Sequence, residues 1–368
     1  MKIFAFGASI LTSYWNGAAT YYRGIYKYLA RRGLQITFAS PDAFGRQQHH
    51  DNDNFSYVNA LIYRPTIDID AMLDLASEAD IVIKHSGLGV DDDLLERRVL
   101  ELQPNSAVVF WDVDAPATLG RIHTDERDPF RSAIPRYDAI LSYGGGPKAR
   151  QGYMNARARA YYNVYNGLDP ETHYPVPHDP SFACDVAFLG NRLPDREARV
   201  EELFLRAAEL AHDKRFLLGG EGWADKPMPS NVRWIGHVST NDHNRLNCSA
   251  GMVMNINRNS MAEFGFSPPT RVFEVSGAGT CMLCDDWRGI DDCFQPNKEI
   301  LVVRTAEDVV KALNRYDPEA RRTIGRAFRA RALRDHTYEQ RAIQAENAFR
   351  NCMRAIRSKN TEALREIA

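Results

Sequence analysis

Nothing in this chain resembles a stretch of about 18 apolar residues, so no segment reads as a bilayer-spanning helix. The apolar opening over residues 1–11 is too short for a signal peptide and shows no cleavage-like pattern. Charge of one sign is also missing. With 46 basic against 48 acidic residues the formal net charge is -2, which leaves no global field directed at nucleic acid or an anionic membrane. Cysteine is sparse: six residues (184, 248, 281, 284, 293 and 352) are scattered over 368 positions, a pattern of reduced thiols rather than of a disulfide framework. Cys281 and Cys284 form a C-x-x-C, but no second pair exists to complete a zinc site, and the intervening Met-Leu continues an apolar strand; two buried thiols are the simpler reading. Two nucleotide signatures are absent. There is no G-x-G-x-x-G dinucleotide fingerprint and no G-x-x-x-x-G-K-[ST] phosphate loop, so neither NAD binding nor a P-loop kinase is supported. Short tandem repeats are lacking too. These absences together predict a cytoplasmic protein.

What is present is an alternation of short apolar strands with helices. Hydrophobic content is 44% and charged content 26%, ordinary for a globular enzyme, and the length exceeds what one core usually serves. Lys2–Phe6 reads as a strand ending at Gly7, and residues 17–32 as a helix with Tyr21, Ile25, Tyr28 and Leu29 at helical spacing. Strands follow at 34–39, 81–83, 107–111 and 139–142, with helices near 92–102 and 128–134. Such alternation implies a parallel, doubly wound α/β sheet. Residues 165–180, rich in proline and turn formers, read as an extended connector, after which the pattern restarts. Strands are expected at 184–189, 215–218, 232–235, 251–256 and 280–284, and helices at 195–211 and 270–276. The C-terminal part is helical over 306–313, 319–335 and 338–359; its arginines at 321, 322, 326, 329, 331 and 334 read as a solvated face rather than a polyanion site. The expected division is a domain over 1–170, a second over 171–340, and a terminal helical segment over 341–368 crossing back to the first.

In open parallel sheets ligands bind beyond the carboxyl ends of the strands, which selects the loops to read. After the first strand, Trp15, Asn16 and Gly17 suit an acceptor: an indole stacks on a sugar face, and glycine lets a ligand approach the backbone. A stronger segment runs from Asn257 to Gly279. Ser267 is placed to cap a helix, Pro268 to open it, and Thr270 lies in its first turn, so free N–H groups there would suit a pyrophosphate. Arg271 and Glu274, three apart, share a helix face, where one can hold phosphate while the other accepts hydrogen bonds from a ribose diol.

The run Ser267-Pro-Pro-Thr-Arg-Val-Phe-Glu-Val-Ser-Gly-Ala-Gly279, continuing Thr-Cys-Met-Leu-Cys-Asp-Asp-Trp-Arg-Gly-Ile290, resembles the donor region of group-1 glycosyltransferases, and more closely their spore-maturation CgeB-like branch. Phe188-Leu-Gly-Asn-Arg192, Gly219-Gly-Glu-Gly-Trp223 and Asn231-Val-Arg-Trp-Ile-Gly-His-Val238 extend the likeness over most of 185–345. It is looser before that, resting on residues 13–17, Lys84-His85-Ser86 and residues 110–118. The resemblance implies a GT-B fold, two Rossmann-like domains facing across a cleft, with a nucleoside-diphosphate sugar (UDP favoured) in the second domain, a hydroxyl acceptor in the first, and no obligatory metal. Carried over, Glu274 binds the donor ribose, and Gly236, His237 and Val238 lie where the base packs. Arg192 and Arg196 stand where a basic pair stabilises the departing diphosphate. His85 matches the histidine that contacts the donor sugar. Two departures stand out: Phe266 occupies the position eight before Glu274 where a first glutamate belongs, with Glu263 three residues upstream of it, and the phosphate site has arginines but no lysine. The implied reaction is a retaining glycosyl transfer.

Other readings remain open at this stage. Asp112 and Asp114 form a D-x-D, which holds a divalent ion in single-sheet glycosyltransferases; in a two-domain chain they fit the acceptor side, where one could bind or deprotonate a hydroxyl. A two-domain sugar- or nucleotide-binding protein and a GT-B-shaped sugar-nucleotide epimerase share the same architecture.

Overall fold

A computed structural model describes residues 1–13, 16–50 and 55–367, with side chains up to residue 358. The chain forms two compact units, one of Met1–Tyr165 with Tyr338–Ala368 and one of Asn166–Thr337. Each is built on a parallel sheet.

In the first unit the strands are β1 (Lys2–Phe6), β2 (Gln35–Pro41), β3 (Asn59–Tyr63), β4 (Ile81–His85), β5 (Ala107–Asp112), β6 (Ala139–Ser142) and β7 (Tyr161–Asn163), in the order β3-β2-β1-β4-β5-β6-β7. Strand alternation supplies both faces of this sheet. Ile3, Ala5, Ile81, Ile83, Val109 and Trp111 face a cluster containing Tyr21, Ile25 and Leu29 of the Ala19–Arg31 helix. Phe4, Phe6, Val82, Val108 and Phe110 face the other cluster, with Leu95, Phe130 and Tyr137. The C-terminal helix, Tyr338–Ile367, completes the first cluster through Tyr338, Ala342, Ala345, Ala348 and Phe349. Fully burying each large side chain of this kind contributes roughly 1.5–3 kcal/mol.

The second unit contains β8 (Cys184–Leu189), β9 (Phe216–Gly219), β10 (Val232–Trp234), β11 (Ala250–Asn255), β12 (Met282–Asp285) and β13 (Leu301–Val303), ordered β10-β9-β8-β11-β12-β13. Again the faces alternate: Val186 and Phe188 pack on one core, Ala187 and Leu189 on the other. In both sheets the first strand lies beside the second on one side and the fourth on the other, so the chain reverses direction of winding between β1 and β4 and between β8 and β11. Each reversal opens a crevice at the carboxyl ends of those strands.

Several elements differ from the sequence expectation. The single helix expected over 195–211 is a run of Pro194–Val200, a π-helical turn at Glu201–Leu205, and Arg206–Leu210. The connector is not loose: Asn166, Leu168, Asp169 and His173 are buried in the second unit, and the Leu168 N–H donates to the His336 carbonyl at 2.7 Å. The arginines of the Pro318–Asp335 helix are not a purely solvated face either. Arg321 donates to the Leu313 and Tyr316 carbonyls, Arg329 to that of Gly277 and Arg331 to that of Cys293, so three of the six tie off backbone acceptors of the same unit. Cys281 and Cys284 are buried free thiols, and burial pushes Cys281 up to about 12, far from a reactive thiolate. Among the described residues no group of three metal-ligating side chains converges, and no helix is long and apolar enough to cross a membrane.

Candidate functional site: an arginine cluster at the second reversal point

The crevice between β8 and β11 is built from backbone first. Gly190 follows β8, and Gly220 follows β9 with φ +118; a Cβ on Gly220 would lie 2.3 Å from the Gly190 carbonyl oxygen. Only glycine permits that approach, and it draws the two loops together. The Gly220 N–H then donates to the Gly236 carbonyl at 2.6 Å, adding the loop after β10 to the same edge. Here Gly236 has φ +69, His237 is exposed and Val238 is buried.

Onto this frame the loops after β8 and β11 bring arginines. Arg196 lies in the first turns of the Pro194–Val200 helix, its Nη2 donating to the Asn191 carbonyl at 2.5 Å and its guanidinium 5.7 Å from the Phe188 ring centre. Its Nε is buried without a hydrogen-bond partner. Burial, and after it the charges of Arg271 and Arg258, push its pKa down to about 10. Arg271 and Arg258 thus bear on Arg196 from close by, and Asp285 opposes them. Asp285 is itself engaged, accepting from Arg199 at 2.6 Å, from the Asn257 N–H at 3.0 Å and from Asn255 at 3.0 Å. Arg196 Nε and Arg271 Nη1 are buried without a hydrogen-bond partner, donors that the oxygens of an incoming polyphosphate could fill.

Glu274 sits one helical turn behind Arg271. Its carboxylate is buried, 3.1 Å from Arg271 Nη1 and 3.8 Å from His243 Nδ1. Burial alone would raise its pKa, but Arg271, His173, His243 and a hydrogen bond from Thr270 outweigh it and hold the group at about 2. The Arg271 contact is an ion pair without hydrogen-bond alignment, so Oε2 keeps unfilled acceptor capacity. His243 is pushed down to about 4, first by burial and then by Arg271, and so is a neutral ring at pH 7.

The expected residues fare differently. Arg196, Thr270, Arg271 and Glu274 come together. Arg192 is engaged apart from these residues, its guanidinium donating to Glu197 at 2.7 Å and to Asp225 at 2.9 Å. Ser267 does not cap the helix: its hydroxyl donates to the Gly265 carbonyl, and the helix starts two residues beyond the expected Pro268, at Thr270 with Pro269 in the cap position. The consecutive prolines, held extended, delay the first helical φ/ψ pair. Phe266 adopts φ +51, its ring against Gly289 and 5.4 Å from the Arg288 guanidinium, while Glu263 is exposed and accepts from Asn259.

In the first unit His85 and Asp112 are interior groups. His85 lies among Tyr22, Tyr26, Phe38 and Trp111, shares a 2.7 Å hydrogen bond with Tyr26, and is pushed down to about 3 by burial and by Lys84. Asp112 is fully buried and accepts from Ser86, Thr118, the Asp114 N–H and Tyr153. Burial raises its pKa against the pull of those bonds. Three of these bonds fall on Oδ1 and one on Oδ2, and they tie the β4, β5 and 146–155 segments together around an interior carboxylate. Asp114 is partly exposed and caps the Ala115–Thr124 helix through the Ala117 N–H. Asn16 staples its own loop, donating to the Ser9 and Thr12 carbonyls, and Gly17 is exposed. Trp15 lies outside the described residues. Sequence reasoning missed Arg258, His173 and His243. Arg258 stands three residues beyond β11, a position the strand-end rule points to, whereas nothing in the local sequence around either histidine signals its role.

A cavity of about 490 Å³ lies elsewhere, beside β12 and β13, with Trp287, Arg288, Arg304, Lys311 and Tyr316 in its wall. Two pairs of its charges meet within the wall, Arg304 with Asp286 at 2.8 Å and Lys311 with Asp308 at 3.5 Å.

Comparison with known proteins places this geometry. Residues 196–347, which begin at Arg196 and include Arg258, Arg271 and Glu274, match a family model described as glycosyl transferase-like. No curated protein sequence matches the chain. Among solved structures, sucrose-phosphate synthase (tll1590) from Thermosynechococcus elongatus is 15% identical, covering 96% of this chain and 100% of its own, with a TM-score of 0.68. Anabaena Alr3699/HepE, in complex with UDP-glucose, is 12% identical over 95% of this chain and 100% of that one, TM-score 0.65. An alpha-glucosyltransferase in complex with UDP and a 13-mer DNA containing a HMU base is 13% identical over 95% and 99%, TM-score 0.69. At such identities the likeness establishes the fold. The chain therefore has the paired Rossmann-like architecture of the GT-B glycosyltransferases, and its segment 196–347 carries the sequence pattern of a glycosyl transferase-like family.

Proposed function

We propose that the chain transfers a glycosyl group from a nucleoside-diphosphate sugar to a hydroxyl acceptor, as a member of the CgeB-like branch of the group-1 glycosyltransferases. The observation that carries this reading is the pair Arg196 and Arg271 at the reversal point of the second sheet, whose buried Nε and Nη1 lack hydrogen-bond partners, with Arg258 bearing on Arg196 beside them. A diphosphate fits it by charge and by the planar donor geometry of guanidinium. As the bond to the anomeric carbon breaks, the leaving diphosphate gains negative charge, and three fixed cations stabilise that charge in place of a metal ion. Glu274, ionised and with an open lone pair on Oε2, accepts from the ribose diol; Arg271 and Thr270 hold it in place. UDP is the favoured nucleotide, since structures sharing the fold hold UDP or UDP-glucose. Retention at the anomeric carbon belongs to the proposal and is read directly from the product's anomeric NMR coupling. A cytoplasmic setting belongs to it too, supported by six free thiols.

The test is a thermal-shift screen against UDP, GDP, dTDP, ADP and CMP, with and without EDTA. A nucleotide at 100 times its Kd stabilises the fold by about 2.7 kcal/mol. One nucleoside diphosphate giving an EDTA-insensitive shift, with slow hydrolysis of its sugar conjugate in the absence of acceptor, is the expected outcome. A shift abolished by EDTA refutes the metal-independent reading, and no shift with any of the five refutes the donor site.

A further inference from the structure

The cavity beside β12 and β13 runs along the outer edge of the second sheet. β13 is the last strand in the order and pairs with β12, in register from Leu283↔Leu301 to Asp285↔Val303. On its other side it has no strand partner among the described residues, and all three of its residues line the cavity. A strand so placed is a template for one more. Two walls flank it, one on each face of the sheet. On the face into which Leu301 and Val303 pack stands the Ala306–Arg315 helix. It lines the cavity with Asp308, Lys311, Ala312 and Arg315, a single stripe at helical spacing whose smallest member, Ala312, lies near the middle. On the face of Val302 stand Trp287 and Ile290, with Arg288 and Asp291 exposed beside them.

The two walls differ in charge. Lys311 is 76% exposed and meets Asp308 only at 3.5 Å. Arg315 has no acidic partner among the described residues, and its guanidinium lies 5.5 Å from the centre of the Tyr316 ring, also in the wall. The helix stripe thus offers two cations against one carboxylate. The opposite wall sets Arg288 against Asp291 beside two apolar residues, and Arg304 is taken by Asp286 at 2.8 Å.

We infer that this edge receives an extended acidic peptide segment of a partner protein, which adds to β13 as a further strand. Side chains of a strand alternate between its faces, so acids at every second position all meet the Lys311 and Arg315 stripe. The residues between them lie over Val302, Trp287 and Ile290 and are apolar. A small anion would meet the same cations but leave the open strand edge unused. The cavity shares no lining residue with the arginine cluster, and the inference does not rest on the transfer reaction.

The test uses the full chain and the fluorescein-labelled hexapeptide Glu-Val-Glu-Val-Glu-Val, read by fluorescence anisotropy. A Kd below about 100 μM is expected, weakened about tenfold when Lys311→Glu and Arg315→Glu are combined. Both positions are exposed, and equal melting temperatures show that the double reversal leaves the fold intact. The same peptide with lysine for glutamate is expected not to bind. Two further peptides carry N-methyl groups, one on the glutamate amides and one on the valine amides. Successive N–H groups of a strand point to opposite edges, so one of these peptides loses binding and the other keeps it, whatever the variants do. The inference is overturned if the glutamate peptide does not bind, or if the lysine peptide or the double variant binds equally well. N-methylation that harms both peptides or neither overturns it too. So does citrate binding through Lys311 and Arg315 without peptide binding, which makes the cavity a small-anion site, or a dimer that the double reversal breaks, which gives the edge to a second copy.

Discussion

Arg196→Met removes a guanidinium while keeping most of the side chain's apolar bulk, and so asks what that charge costs the folded protein. Its pKa falls from 12.5 to about 10 through burial, then through Arg271 and Arg258. Since one pKa unit corresponds to about 1.4 kcal/mol, holding the charge costs the second unit about 3 kcal/mol. The sign follows from the direction of the shift. Below about pH 10 the group is protonated in both folded and unfolded chains, so the cost is fully present at neutral pH. Against it stands the lost hydrogen bond to the Asn191 carbonyl, a charged bond contributing roughly 1.5–3 kcal/mol. The balance is a gain of about 1 kcal/mol, which for a unit of this size raises the melting temperature by roughly 2–4 °C. The same substitution removes a third of the cationic cradle, so the added stabilisation by UDP shrinks or disappears. Differential scanning fluorimetry at pH 7, with and without UDP, reads both effects in one experiment. A lower melting temperature together with an undiminished UDP shift would refute the argument, because Arg196 would then be an ordinary structural residue.

The remaining predictions concern neighbouring groups. Arg192→Ala is expected to change kcat by less than about fivefold, since the residue serves a partly exposed ion pair of small worth; a loss of about a hundredfold in steady-state kinetics would return it to the site. Glu274→Gln should flatten the acid limb of stability. A carboxylate held at about 2 stabilises the fold fully above its ordinary pKa of 4.5 and loses that contribution as pH falls toward 2, so urea midpoints of the two proteins should converge on acidification by up to about 3 kcal/mol; parallel curves would sink the assignment. Gly24→Ala places a Cβ 2.2 Å from the Tyr338 ring. The overpacking costs about 1–3 kcal/mol and exceeds the helix-propensity gain of at most about 1 kcal/mol, and Tyr338→Leu should recover much of the loss in chemical denaturation.

How far the sequence exposes this fold depends on what each element owes to its neighbours. β1 and β8 were legible to the residue because a strand buried on both faces is a continuous apolar run with a turn at its end. The edge strands of the first sheet were not: β3 exposes Asn59 and Ile62, β7 is three half-buried residues, and both are held by pairing with β2 and β6 rather than by composition. Arg271 and Glu274 were found together because helical spacing is a local property. Arg196 lies 75 positions before Arg271, and only the strand order brings it and Arg258 into the same neighbourhood. His85 failed in the opposite sense. Its place at a strand end was read correctly, but in a strand the side chain's face is set by parity, and position 85 falls on the same face as Ile81 and Ile83, toward the aromatic residues of the Ala19–Arg31 helix.

The return of the chain to its starting unit has a consequence for the order of synthesis. Residues 1–165 emerge from the ribosome with β1, β4 and β5 laid down but without Tyr338, Ala342, Ala345, Ala348 and Phe349, which cover that face of the sheet. The second unit, contained wholly within 166–337, has all its strands before then. The domain begun first is thus closed last, and a polypeptide halted at Thr337 carries a finished second unit attached to an open apolar surface. Nascent chains of that length should be held by chaperones and cut by protease within the first 165 residues, whereas chains that include residues 338–358 resist.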